Sequence, residues 1–405
     1  MNSATPFHLR RLGELDALRC VAMSMVIAQH SSILPFGWMG VWLFYVISGF
    51  VVTNSLMTQG EGRGFGSRLR DFYVRRGARI LPIYLAYVLI GFVVSGLISH
   101  SFEWLKLASF LLFFNNYLAS FGAGFYDNWP IAHLWTISAE MQFYFLYAPL
   151  FLVLSRRSIT VILLVIIALS PAARILAGML LSSYETDTGR IAYQIYSASF
   201  LHFDAFGVGG LLAIHRAWAT SPRRARALLG IGLGAMALYA AVYLGISLGV
   251  HHQTGISALK NIISGIAFGD YHEGFLYSAV DLLAAGVVAA AIGVGGKWTA
   301  VLRLPPLQWI GRVSYGGYVY HALVLSVLGV AWRSFAAPLK LQGVERFEGV
   351  VVFLCAYPTV LLIAGLSYAR LERPLIAAAN GWMRRRALPA DTVGSRLPAE
   401  PGSAR

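Results

Sequence analysis

LDALRCVAMSMVIAQH, residues 15–30, decides what kind of fold this chain has. Its apolar character is that of a membrane-crossing helix, yet it contains Asp16, Arg19 and His30. At 100° per residue the steps from Arg19 to His30 sum to about 1100°, roughly 20° beyond three full turns, so the two share a face about 16 Å apart along the axis. Asp16, Arg19, Met23, Val26 and His30 follow a 3-4-3-4 spacing, and this single stripe holds every ionisable group of the stretch. A charge turned toward lipid is costly, so the stripe must face a bundle interior or a wet cavity. A purely structural Asp16–Arg19 pair with a hydrogen-bonded His30 is the plainer reading. The cost of intramembrane charge favours a functional one.

The rest of the chain repeats the apolar pattern. Of 405 residues, 57% are hydrophobic and 12% charged, about half the charge of an average soluble domain. A bilayer core about 30 Å thick needs about 20 apolar residues per helical span. Hydropathy predicts an all-α, polytopic membrane bundle with ten spans near 14–33, 37–57, 80–98, 132–154, 159–181, 199–215, 227–249, 276–294, 308–333 and 348–370. The stretch WLKLASFLLFFNNYL, 104–118, is expected to be re-entrant or interfacial on the outer face, because a full span there would move Arg156 and Arg157 outside.

The net charge of +14 does not point to nucleic acid, since the arginines sit in short clusters between apolar runs. Lysines and arginines together divide unequally between the two sides of the bundle, twenty-three against six, which predicts both termini in the cytoplasm. Cys20 and Cys355 are isolated within predicted spans and offer neither a disulfide framework nor a metal-ligand spacing. The first apolar run has no cleavage signature and reads as a retained helix.

Three further groups of polar residues recur within the spans. In WPIAHLWTISAEMQFYF (129–145), His133, Glu140 and Tyr144, with Tyr147 beyond, fall on one helical face beside Thr136. Either a catalytic site or a polar staple through Ser138, Glu140 and Gln142 would explain them. In FYVRRGARILPIYL, Arg75, Arg76 and Arg79 stand at the cytoplasmic mouth of the third span. They would serve as lipid-headgroup anchors or, with Arg75 and Arg79 four apart, as a clamp on a polyphosphate ligand. Ser314, Tyr318 and His321 share a third face, and His202, Asp204 and Asp281 are further intramembrane polar groups. Polar residues on several helices predict a cavity between spans.

These segments, in this order, resemble the membrane-bound acyltransferase family 3, bacterial enzymes that O-acylate cell-surface glycans. The resemblance rests on Arg19-x10-His30, GVWLFYVISGF (40–50), RRGARILP (75–82), HLWTISAEMQFY (133–144), IGRVSYGGYVYH (310–321) and SYARLERPL (367–375). The chain departs from the family pattern at Trp42, Tyr45 and Met141, where an acidic residue, a phenylalanine and a second glutamate are common.

The resemblance implies a transmembrane acyltransferase domain over 1–375 and a basic, disordered cytoplasmic tail over 376–405, with no hydrolase-like domain after it. It implies a bacterial inner-membrane enzyme that moves an acetyl or other short acyl group from cytoplasmic acyl-CoA, without a metal, to a hydroxyl of a glycan or lipid-linked saccharide. His30 would be the general base or the acyl acceptor. Arg19 would orient the CoA side or stabilise the thioester oxyanion. Glu140 would orient His30 or bind the acceptor. Arg75, Arg76 and Arg79 would hold the CoA phosphates, and His133, Trp135, Tyr144 and His321 would line the acceptor side. A small glycosylated metabolite as acceptor, or a transporter or flippase of a sugar-containing substrate, are the alternatives.

Overall fold

The computed structural model describes residues 12–59, 63–120, 128–266, 268–337 and 347–387. Its helices begin with α1 (Gly13–His30), α2 (Met39–Met57), α3 (Phe65–Ser99), α4 (Trp104–Leu111), α5 (Asn115–Ser120) and α6 (Trp135–Val153). They continue with α7 (Arg156–Leu181), α8 (Thr188–Ser197), α9 (Phe203–Ile214), α10 (Arg216–Ala219), α11 (Pro222–Gly249) and α12 (Ile256–Ile263). The series closes with α13 (His272–Gly293), α14 (Lys297–Leu302), α15 (Pro305–Ala336), α16 (Glu348–Ser367) and α17 (Arg373–Ala387). The protein is an all-α membrane bundle.

Each expected span coincides with a helix or, for 199–215, with the second limb of a bent pair. Among the described residues seven helices are long and apolar enough to cross a membrane, and eight if Thr188–Ser197 and Ser199–Ile214, bent by 69°, count as one. The remaining two, α1 and α6, carry the polar stripes and are shielded by their neighbours. Leu15, Asp16, Met23 and Val26 of α1 are buried, as are Thr136, Ser138 and Tyr144 of α6. The stretch 104–118 forms the short helices α4 and α5, neither long enough to cross.

Local sequence sets several helix ends. Ser155 caps α7 by accepting from the Ser158 N–H at 3.1 Å, and Asp187 caps α8 by accepting from the Gly189 and Arg190 N–H groups. Packing then sorts the helices by depth. α2 is central, with 72% of its apolar window buried, whereas α7 and α11 bury 22% and 17% and form the lipid-facing wall. Between α2 and α9, a Cβ at Gly49 would meet the Phe206 carbonyl and one at Gly209 the Val46 carbonyl, so the two backbones touch only because both positions are glycine. Gly311 likewise lets α15 lie against the Asp16 carbonyl of α1.

The buried polar groups His202, Asp204 and Arg174 tie α7 to the helices behind it. The fully buried Arg174 of α7 donates to Asp204 of α9 at 2.9 Å, to the Leu201 carbonyl at 2.8 Å and to Ser278 of α13 at 2.6 Å. His202 bonds the Ile195 carbonyl at 2.9 Å.

At the C-terminal end, a π-helical turn, Tyr368–Glu372, joins α16 to α17. Residues 376–387 of the expected disordered tail are therefore helical, because Ile376, Ala379 and Met383 present a packing face to α3. The rest of that tail, 388–405, and the N-terminal residues 1–11 lie outside the described residues.

Candidate active site

Arginines line one end of the interior. α3 turns Arg75, Arg76 and Arg79 inward over one helical turn before its apolar half begins at Ile80. Arg76 lies over the rings of Phe72 and Tyr144, its guanidinium carbon 6.0 and 5.8 Å from their centroids. Arg79 borders three adjoining cavities. The widest, about 300 Å³, is lined by Arg19, Arg79, Arg216, Arg312, Asp16 and Glu372. Four guanidinium groups against two carboxylates leave it positive, and Arg19 is itself paired with Asp16 at 2.9 Å.

Deeper in, a cavity of about 90 Å³ shares Arg19 and Arg79 with the first. Glu140 of α6 forms part of its wall and accepts hydrogen bonds from Ser48 of α2 and Tyr144 of α6. Ser48 and Tyr144 are 2.5 Å apart, closing a triangle around the carboxylate. Tyr45, Thr136 and Tyr318 complete the far end of the cavity. There the Tyr318 hydroxyl contacts Thr136 Oγ1 at 2.7 Å and donates to the His133 carbonyl at 3.0 Å.

Beyond that layer lie three histidines from three helical segments. His321 Nδ1 is 2.6 Å from the Tyr318 carbonyl, and His133 Nε2 is 3.0 Å from the Val319 carbonyl. A carbonyl only accepts, so these two nitrogens carry the protons. In neutral His321 the other nitrogen, Nε2, then accepts from His30 Nδ1, 3.3 Å away. This assignment leaves His30 Nε2 as a bare lone pair. His30 is exposed and is the last residue of α1. His133 packs 4.7 Å from His321, ring to ring, and its Nδ1 has no partner among the described residues.

Three helices repeat the same order along the bundle axis. α1 runs from Arg19 to His30; α15 runs from Arg312 through Tyr318 to His321; and α6, running the opposite way, passes from Glu140 through Thr136 back to His133. Arg19, Arg75, Arg76, Arg79, Glu140 and Tyr144 all border cavities, whereas His30, His133 and His321 gather beyond the tyrosine layer.

Three expected placements differ. Glu140 is bonded to Ser48 and Tyr144, and His30 to His321, so Glu140 does not orient His30. Glu140 lies two turns from His133 along α6, about 10 Å, which is too far. Tyr144, expected on the acceptor side, instead bonds Glu140 in the deeper cavity beside Arg76, while Trp135 packs on Tyr196 at 5.0 Å. Ser48, Arg216, Arg312 and Glu372 were missed as site residues. The quoted segments at 40–50, 310–321 and 367–375 contain all of these but Arg216, so the signal was present without a geometry to read it.

Comparison with known proteins bears on this geometry. A family profile described as an acyltransferase domain matches residues 12–369, and the chain belongs to that family, acyltransferase family 3. It is 25% identical over 396 residues to the peptidoglycan O-acetyltransferase OatA of Listeria monocytogenes, covering 93% of this chain and 57% of that protein. It is 27% identical over 398 residues to the Bacillus subtilis protein named "Putative peptidoglycan O-acetyltransferase YrhL", covering 91% and 55%. The chain thus spans little more than half the length of these relatives. No solved structure matches it. The chain is thus a member of that family whose long apolar helices place it in a membrane.

Proposed function

We propose that the protein takes an acetyl or other short acyl group from acyl-CoA on the cytoplasmic side of a bacterial inner membrane and delivers it to a glycan hydroxyl on the outer side. Both termini would be cytoplasmic, the side that the excess of lysine and arginine favours. The observation that carries the reading is the axial order of the interior: arginine-walled cavities at one end, a narrow polar cavity at Glu140, and an exposed histidine lone pair at the other end. The names of the relatives favour acetyl as the acyl group and a peptidoglycan-like glycan as acceptor.

In this reading the guanidinium groups of Arg75, Arg76 and Arg79 hold the CoA phosphates through charge-assisted hydrogen bonds. The uncharged pantetheine arm follows the cavity past Ser48, Glu140 and Tyr144. For the thioester to reach His30, the contact between Thr136 and Tyr318 must open. His30 Nε2 then takes the proton of the acceptor hydroxyl as its oxygen attacks the thioester carbonyl. Collapse of the tetrahedral intermediate expels CoA as a thiolate, which recovers the proton from His30.

Arg19 belongs to the donor side. It stands about 16 Å from His30 along α1, and its Cα–Cβ bond leans toward the helix N-terminus. The two side chains therefore do not meet at one carbonyl. His133 and His321 form the floor beneath the acceptor. The lone pair of His30 would also serve a two-step route through an acyl-imidazole, which a burst of one acyl group per chain would reveal.

His30→Ala tests the reading. It should leave the protein folded and inserted and lower acyl transfer by at least about a hundredfold. Undiminished transfer by that variant would remove His30 from the chemistry.

A further inference from the structure

The helix α17, Arg373–Ala387, lies beyond residues 12–369, the part of the chain that the family profile matches. It is not a loose appendage. Its Ile376, Ala379, Asn380 and Met383 recur at helical spacing on the side packed along α3. Met383 is buried, and its sulfur lies 3.8 Å from Arg75 Nη1. On the flank of this face Trp382 is held between two guanidinium groups, Arg70 at 5.3 Å and Arg386 at 4.4 Å from its ring centroid.

The consequence is a row of cavities with α17 as one wall. Ile376 borders the wide cavity that holds Arg19 and Arg79. Ile376, Ala379 and Asn380 face Arg75, Arg76 and Arg79 across the next. Asn380, Met383 and Arg384 face Arg63 and Arg75 across the last, a cavity of about 350 Å³ that also contains Asp71. Asp71 is neutralised by Arg63 at 2.6 Å, and no described carboxylate pairs with Arg75 or Arg384. Three arginines against one aspartate leave about +2, which matches the charge of about −1.5 to −2 on a phosphate monoester near neutral pH.

We infer that α17 completes the donor site, and that Arg75, Asn380 and Arg384 bind the phosphate monoester at the nucleotide end of acyl-CoA. The inference rests on the acyl-CoA reading above. It adds a second wall, outside the family domain, that recognises the end of the donor farthest from the thioester. The small side chain of Ala379 leaves room between the two helices, Asn380 supplies an amide donor, and Arg384 supplies the planar fork suited to phosphate oxygens. A lipid headgroup could offer the same phosphate chemistry at this depth, so the test must separate the two sources.

The experiment is calorimetric titration of the full chain, in nanodiscs of phosphatidylcholine, with CoA and with 3′-dephospho-CoA. The unaltered protein should bind CoA more tightly than dephospho-CoA. Arg384→Glu should weaken CoA binding by roughly tenfold and erase the preference, and the milder Arg384→Gln should act in the same direction. Arg385→Glu makes the same charge change one residue along, on an exposed side chain that borders none of these cavities. It should leave both affinities within about twofold. Equal effects of the two charge reversals, including none from either, would overturn the inference and assign the arginines to the membrane surface. Binding of neither ligand by the unaltered protein would overturn the donor reading and this inference with it. A retained CoA preference in Arg384→Glu would overturn the inference alone.

Discussion

At the scale of single residues, the interior separates two kinds of chemistry. Glu140 is fixed by Ser48 and Tyr144 in a cavity that also holds arginines, whereas His30 is oriented by another histidine at an exposed helix end. In the proposed mechanism the hydrogen bond to His321 keeps the His30 proton on Nδ1 and leaves Nε2 free, which would make His321 a positioning residue. Replacing it by phenylalanine should lower the maximal transfer rate by about ten- to a hundredfold while leaving the Michaelis constant for acyl-CoA unchanged. His321→Gln, whose amide oxygen can accept from His30 Nδ1, should restore much of the rate. Equal losses in both variants would reduce His321 to packing.

At the scale of elements, the membrane fixes what polar groups can do. Arg174, Asp204 and Ser278 join α7, α9 and α13 and border none of the cavities described above. Removing one partner leaves an uncompensated buried charge, so Arg174→Ala should destabilise the protein by about 3–5 kcal/mol, read as a lower midpoint in thermal unfolding in detergent. The helices were legible in the sequence because apolar runs of span length leave few alternatives. The stripe on α1 was legible for the same reason, since an arginine and a histidine three turns apart have only one direction to face. The residues that close the site were less legible. Ser48, Tyr318 and Glu372 act across helix interfaces, and no spacing within one helix reveals a partner on another. The helical start of the expected tail was missed because its packing face is interrupted by alanines and arginines and packs against α3, distant in the sequence.

At the scale of the whole molecule, the proposed function assigns the two ends of the protein to different compartments. The arginine-walled cavities and the histidine group are joined through α1, α6 and α15, and the layer of Tyr45, Thr136 and Tyr318 stands between them. The most direct test is transfer across a sealed membrane. Proteoliposomes of uniform orientation would be loaded with acetyl-CoA on the side of the arginine cavities, with a membrane-impermeant peptidoglycan oligomer supplied only on the side of His30. The account predicts O-acetylated oligomer outside and free CoA retained inside, with neither formed by His30→Ala. Acetylation only when donor and acceptor share one compartment would contradict it.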